Sequence, residues 1–147
     1  VDLKAITAAM VTPGFVRGMT EHTNAIWAAQ AMESDGHEVV IVTSHFDSSP
    51  TWVYERTKWL EERLPGVPVI YTHDKHLVPG DALVEDTPRN LVQWLAAHPS
   101  GRGWLVRRPW NQYFRETGAP EHPGADIFMR THYVNHIEEV REHYKGA

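Results

Sequence analysis

Two hydrophobic periods alternate along the chain and mark out strands and helices. His37 to Thr43 (HEVVIVT) is an apolar run rich in β-branched residues and predicts a strand. A helix over residues 23–35 precedes it and stops at Gly36, where a left-handed cap is wanted. After the strand, Ser49-Pro50 supplies an N-cap and a first-turn proline for a helix over residues 51–64, with Val53, Thr57, Leu60 and Leu64 on one stripe. Val67 to Tyr71 (VPVIY) predicts a second strand, begun or edged by Pro68. Asp81 to Glu85 (DALVE) predicts a third, after which Thr87-Pro88 opens a helix bearing Leu91, Trp94 and Leu95. Gly103 to Arg107 (GWLVR) predicts a fourth. Residues 109–126, rich in Pro, Gly and polar side chains, read as a loop. A closing helix over residues 131–144 puts Tyr133, Ile137, Val140 and Tyr144 on one face.

Strands alternating with helices imply an α/β fold, a mainly parallel sheet with helices on both faces. The 147 residues suit one domain, and 41% apolar content with six Trp supplies a core. The absence of cysteine excludes disulfides, thiolate metal sites and a thiol nucleophile, and agrees with a reducing cytoplasm. A net charge of −5 and a pI near 6.0 argue against a nucleic-acid polymer as partner. No apolar run is long enough for a membrane span.

In parallel sheets, ligands bind beyond the carboxyl ends of the strands. Here those ends carry Thr43-Ser44, the His73-Asp74-Lys75 turn and Glu85-Asp86. Thr43 and Ser44 offer hydroxyl and backbone donors to a phosphate or carboxylate oxygen. Lys75 adds a compact positive charge, worth about 4 kcal/mol against a unit negative charge about 4 Å away at an effective dielectric of about 20. Adjacent strand residues point to opposite faces, so one of Glu85 and Asp86 can take Mg²⁺ while the other orients water or Lys75. Singly, each feature is ordinary loop, surface or capping chemistry; their coincidence at successive strand ends predicts a cation-plus-phosphate site.

The same segments carry a family resemblance. Thr12-Pro13-Gly14-Phe15-Val16, Val42-Thr43-Ser44, Lys58-Trp59-Leu60, His73-Asp74-Lys75, Asp81 through Pro88 and Pro109-Trp110-Asn111 occur in order over residues 12–111. Together they resemble motifs two to four of the haloacid dehalogenase-like phosphatases, in the 5′(3′)-deoxyribonucleotidase or type-C 5′-nucleotidase branch. The resemblance implies a Rossmann-like three-layer α/β/α core over residues 1–147, with a small or truncated cap. It also implies a Mg²⁺-dependent phosphomonoester hydrolase acting on nucleoside monophosphates. Thr43 and Ser44 would bind phosphate, Lys75 would neutralise phosphate and nucleophile, and Asp86 would hold Mg²⁺ with Glu85 beside it. Glu85 and Thr87 replace the commoner Asp and Arg, and Val16 stands where relatives often have a second Phe near the base. A small phosphorylated substrate, a cytoplasmic location and a homodimer belong to the same expectation.

The family's first motif, Asp-x-Asp, supplies a nucleophile that forms an aspartyl-phosphate and an acid that later acts as base. No Asp-x-Asp occurs in the sequence, and Asp2 lacks both a second carboxylate and a preceding strand. The leading expectation is that the attacking Asp lies outside these residues, with residues 1–16 as the tail of a cap. Two alternatives are that Lys4 to Val11 forms the central strand of a catalytically inactive phosphate- or nucleotide-binding relative, or that another polypeptide supplies that strand. An unfilled centre is excluded, because each unpaired buried backbone group costs about 1–3 kcal/mol.

Ten histidines allow a reading from another class. His132 and His136, four apart on a helix, would share a face with Glu139 nearby, as in a transition-metal protein. Chance histidines on an exposed helix explain the pattern more simply. His73 and His76 beside Lys75 read as turn surface. Arg107, Arg108 and Trp110 could clamp a nucleotide but suit surface and packing roles, and Trp52 and Trp59 read as core.

Overall fold

A computed structural model describes residues 2–22, 24–112 and 125–145. The chain divides into two compact units, Val1–His73 and Asp74–Ala147.

The first unit contains α1 (Leu3–Met10), α2 (Ala25–Ser34), β1 (Ile41–Thr43), α3 (Trp52–Arg63) and β2 (Val69–Tyr71). The alternative of a strand at Lys4 to Val11 is overturned, because this segment is α1. Asp2 caps it by accepting from the N–H groups of Lys4 and Ala5, and three alanines favour the helix. Gly36, at φ +94°, ends α2 as expected, and the His37 N–H then closes back on the Met32 carbonyl.

β1 is shorter than the apolar run suggested. It pairs in parallel with β2, Ile41 opposite Val69 and Thr43 opposite Tyr71, and the ladder starts where the Ile41 N–H meets the Pro68 carbonyl. Pro68 has no N–H with which to extend it. Ala29, Trp59, Leu60, Leu64 and Val67 form the core here. Of the expected α3 stripe, Leu60 and Leu64 are buried while Val53 is exposed, and Glu55 and Trp59 are buried as well. The N-cap position of α3 is Thr51 rather than Ser49, and its side chain makes no capping bond.

The second unit contains a 3₁₀ turn (Lys75–Leu77), β3 (Ala82–Glu85), α4 (Pro88–Ala97), β4 (Arg102–Val106), α5 (Ala125–Met129), β5 (Thr131–Val134) and α6 (Glu138–Tyr144). Its sheet has the order β3-β4-β5, parallel throughout. Residues alternate across β4 to feed two cores. Leu105 packs with Leu91, Trp94, Leu95 and Ile127 on one face. Trp104 and Val106 pack with Val134 and Val140 on the other. Gly103 lets α4 approach closely, since a Cβ there would lie 2.9 Å from the Leu91 and Leu95 methyls.

The expected closing helix is corrected, because its first third is β5. Thr131 and Val134 are buried while His132 and Tyr133 are half-buried, and the backbone completes the β4 edge, with the Gly103 N–H bonding to the Arg130 carbonyl and the Arg107 N–H to the Val134 carbonyl. Satisfying that edge outweighs the helical spacing of Tyr133, Ile137, Val140 and Tyr144. The loop expected over 109–126 lies largely outside the described residues, and its last two residues open α5.

Candidate active site

At the carboxyl end of β3, Glu85 is buried and its carboxylate is fully engaged. Oε1 accepts the N–H groups of Asp86 and Thr87 at 3.0 and 3.1 Å. Oε2 accepts from Lys75 Nζ at 2.6 Å and from Asn90 Nδ2 at 3.3 Å. Thr87, the expected helix cap, makes no side-chain capping bond, and Glu85 satisfies the entering backbone instead. Burial alone would push the Glu85 carboxyl up, but the Lys75 ammonium and these hydrogen bonds outweigh it and hold it below the usual range.

Asp86 follows β3 and its side chain is 40% exposed. Oδ1 accepts from the Thr87 hydroxyl at 3.3 Å, and Oδ2 lies 4.0 Å from Arg108 Nε. Burial first, then the bond to Glu85 and its negative charge, hold the Asp86 carboxyl above its usual value. A cation bound there would reverse that preference. The donor set fits Mg²⁺, which takes hard oxygen ligands and commonly one or two carboxylates plus substrate phosphate. Of the two carboxylates, Asp86 is the more exposed and the better placed to take the ion.

Asn111 ties the strand ends together, a role that the sequence did not reveal. Buried, it donates from Nδ2 to the carbonyls of Asp86 at 2.7 Å and Val106 at 2.8 Å, and accepts the Arg108 N–H on Oδ1 at 2.8 Å. Beside it a cavity of about 410 Å³ opens at the carboxyl ends of β4 and β5, lined by Arg107, Arg108, Asn111, Tyr133 and Asn135 among others. The sequence signal was its place in the Pro109-Trp110-Asn111 motif, which pointed to the position and not to this role.

In the first unit, Thr43 and Ser44 lie at the carboxyl end of β1. The Thr43 carbonyl accepts the Thr72 N–H at 3.0 Å, and the Ser44 hydroxyl donates to the Thr72 carbonyl at 3.4 Å. The structure therefore brings Lys75, Glu85 and Asp86 together in one unit, and Thr43 and Ser44 together in the other. Glu55 was also missed. Its buried carboxylate accepts the N–H groups of Gly14, Val16 and Arg17, closing the Thr12–Arg17 turn over α3. The Gly14 bond, with those of Arg17 and Val16, outweighs burial and holds this carboxyl below its usual range.

The paired histidines of the transition-metal reading do not share a helix. His132 is on β5 and stacks on Trp104 at 4.5 Å, while His136 lies in the following turn, its N–H bonded to Glu139. Trp59 is core, with its indole N–H donated to the Met19 carbonyl and the Arg63 guanidinium 4.1 Å from its ring centroid. Among the described residues, no helix is long and apolar enough to cross a membrane.

Residues 3–129 match the family described as 5′ nucleotidase, deoxy (Pyrimidine), cytosolic type C protein. The chain belongs to this family. Type C nucleotidases are haloacid dehalogenase-like, and the helices and parallel sheets seen here are those of that α/β Rossmann-like fold. Proteins of Bordetella parapertussis and Bordetella bronchiseptica, each provisionally named 5′(3′)-deoxyribonucleotidase, are 32% identical over 115 residues. A Bordetella pertussis protein of the same name is 31% identical. These alignments cover 76% of this chain, which spans 60% of the relatives' length.

Proposed function

We propose that the chain serves a Mg²⁺-dependent phosphomonoester hydrolase of the haloacid dehalogenase-like type, with a nucleoside monophosphate as substrate. The observation that carries this reading is the 2.6 Å Lys75–Glu85 pair beside the half-exposed Asp86, at the end of a parallel strand in a type C nucleotidase. The relatives' name points to deoxyribonucleotides.

Lys75 neutralises phosphate charge from a position fixed by Glu85, which spares the ammonium the cost of being ordered during the reaction. In the first unit, Thr43 and Ser44 carry hydroxyl donors suited to an oxyanion at the carboxyl end of β1. Asp86 would hold the Mg²⁺, and Glu85 orients Lys75 rather than ligating. When bound, Mg²⁺ supplies charge stabilisation to the transferring phosphoryl group. Asn111 holds the Asp86 backbone in register with β4, so the carboxylate is presented at a constant position.

The 147 residues contain no Asp-x-Asp pair, so they contribute the phosphate- and metal-holding part of this chemistry. The same observation favours a second reading, a domain that binds phosphate without turning it over. A cytoplasmic location belongs to the first reading and accords with the word cytosolic in the family description.

The experiment is phosphate release from deoxynucleoside monophosphates by the chain, with and without Mg²⁺, alongside calorimetric binding of the same compounds. Mg²⁺-dependent release that Lys75→Ala and Asp86→Ala abolish supports the hydrolase. Mg²⁺-dependent binding without release supports the phosphate- and metal-holding role common to both readings, and neither binding nor release contradicts both.

A further inference from the structure

The parallel register of the first unit sets Thr43 opposite Tyr71, so the residues two further along, His45 and His73, leave the sheet side by side. Their rings sit with centroids 4.4 Å apart. The loop after β1 then turns Asp47 back onto both. Asp47 Oδ1 lies 2.8 Å from His45 Nε2, and Oδ2 lies 3.6 Å from His73 Nε2. One ligand atom from each of the three side chains falls within 4.8 Å of the others.

We propose that His45, Asp47 and His73 form a binding site for a divalent transition-metal ion of the Zn²⁺ class. Bonds of about 2.0–2.2 Å to a tetrahedral ion hold ligand atoms about 3.3 Å apart. The spacings to Asp47 bracket that value, so small side-chain rotations complete the shell. Two imidazoles and one carboxylate select borderline metals such as Zn²⁺, Co²⁺ or Ni²⁺ over Mg²⁺, which prefers oxygen alone. This chemistry differs from that at Asp86, and the inference does not rest on the hydrolase reading.

Access to the site agrees. The side chains of His73 and Asp47 are 52% and 75% exposed, which leaves an entry path and open coordination positions for water or a small anion. A three-ligand set with an open position is also the pattern of exchangeable zinc.

The test is isothermal titration of the 147-residue chain with ZnCl₂ in the presence of excess Mg²⁺. The site predicts one tightly bound equivalent that Mg²⁺ does not displace. His73→Ala and Asp47→Asn each weaken it by about tenfold or more, since even groups that merely support ligands cost that much. Both side chains are exposed, so circular dichroism and the melting temperature without metal stay as in wild type. His132→Ala, in the other unit, leaves the affinity unchanged. Visible absorption bands of bound Co²⁺, lost in His73→Ala, give a second readout. Absence of Zn²⁺ binding, equal affinity in the wild type and both ligand variants, or loss on His132→Ala instead overturns the proposal. Phosphate release enters none of these readouts, so the two readings fail separately.

Discussion

Lys75 Nζ and Glu85 Oε2 lie 2.6 Å apart, and their side chains are only 14% and 6% exposed. Their partnership divides the work of an acidic doublet, with Glu85 spent inside the fold and Asp86 left to face outward. Lys75→Met strands a buried carboxylate. Its three remaining hydrogen bonds limit the loss to about 3 kcal/mol, the low end for a broken buried pair. Urea unfolding of the variant against wild type measures this.

Asn111→Ala removes the bonds to the Asp86 and Val106 carbonyls and the acceptor for the Arg108 N–H. Leaving such groups unpaired costs about 2 kcal/mol. Denaturant unfolding should show this loss, together with weaker Mg²⁺-dependent nucleotide binding. Unchanged binding would remove Asn111 from the site.

Glu55 sets an acid limit on the first unit. Its folded pKa lies below the unfolded value, so its contribution is complete above the ordinary carboxylate pKa and fades as pH falls through the folded one. Glu55→Gln should flatten the acid limb of the stability curve and lower the melting temperature at neutral pH by several degrees. Thermal melts from neutral pH down to about pH 3, below the ordinary carboxylate pKa, check both.

Gly103→Ala places a methyl 2.9 Å from the Leu91 and Leu95 side chains, and Gly101→Ala places one 2.5 Å from the Trp94 ring. Each overpacks the contact of α4 with its sheet, at a cost of about 1–3 kcal/mol. Calorimetric melting of the two variants reports it.

Much of the fold was legible because local chemistry and tertiary demand agree. Gly36 stops α2, Pro88 opens α4, and Leu91, Trp94 and Leu95 face the core as their spacing predicts. β5 was not legible: the spacing of Tyr133, Ile137, Val140 and Tyr144 imitates a helix, and only the open edge of β4 reveals that Thr131–Val134 pairs with it. Helix α1 is decided by the Asp2 cap against β-branched residues that also suit a strand. At the candidate site, residue types pointed to Lys75, Glu85 and Asp86, but which carboxylate is engaged depends on hydrogen bonds that no spacing encodes. Glu55, and the role of Asn111, were not legible for a related reason, since a buried polar residue's task is recognised only through the backbone groups it satisfies.

The most direct measurement is calorimetric titration of the chain with a pyrimidine deoxynucleoside monophosphate, with Mg²⁺ and then with chelator. Binding is expected to require Mg²⁺ and to disappear in both Asp86→Ala and Lys75→Ala. Binding that survives the chelator and both substitutions would place the nucleotide away from these residues.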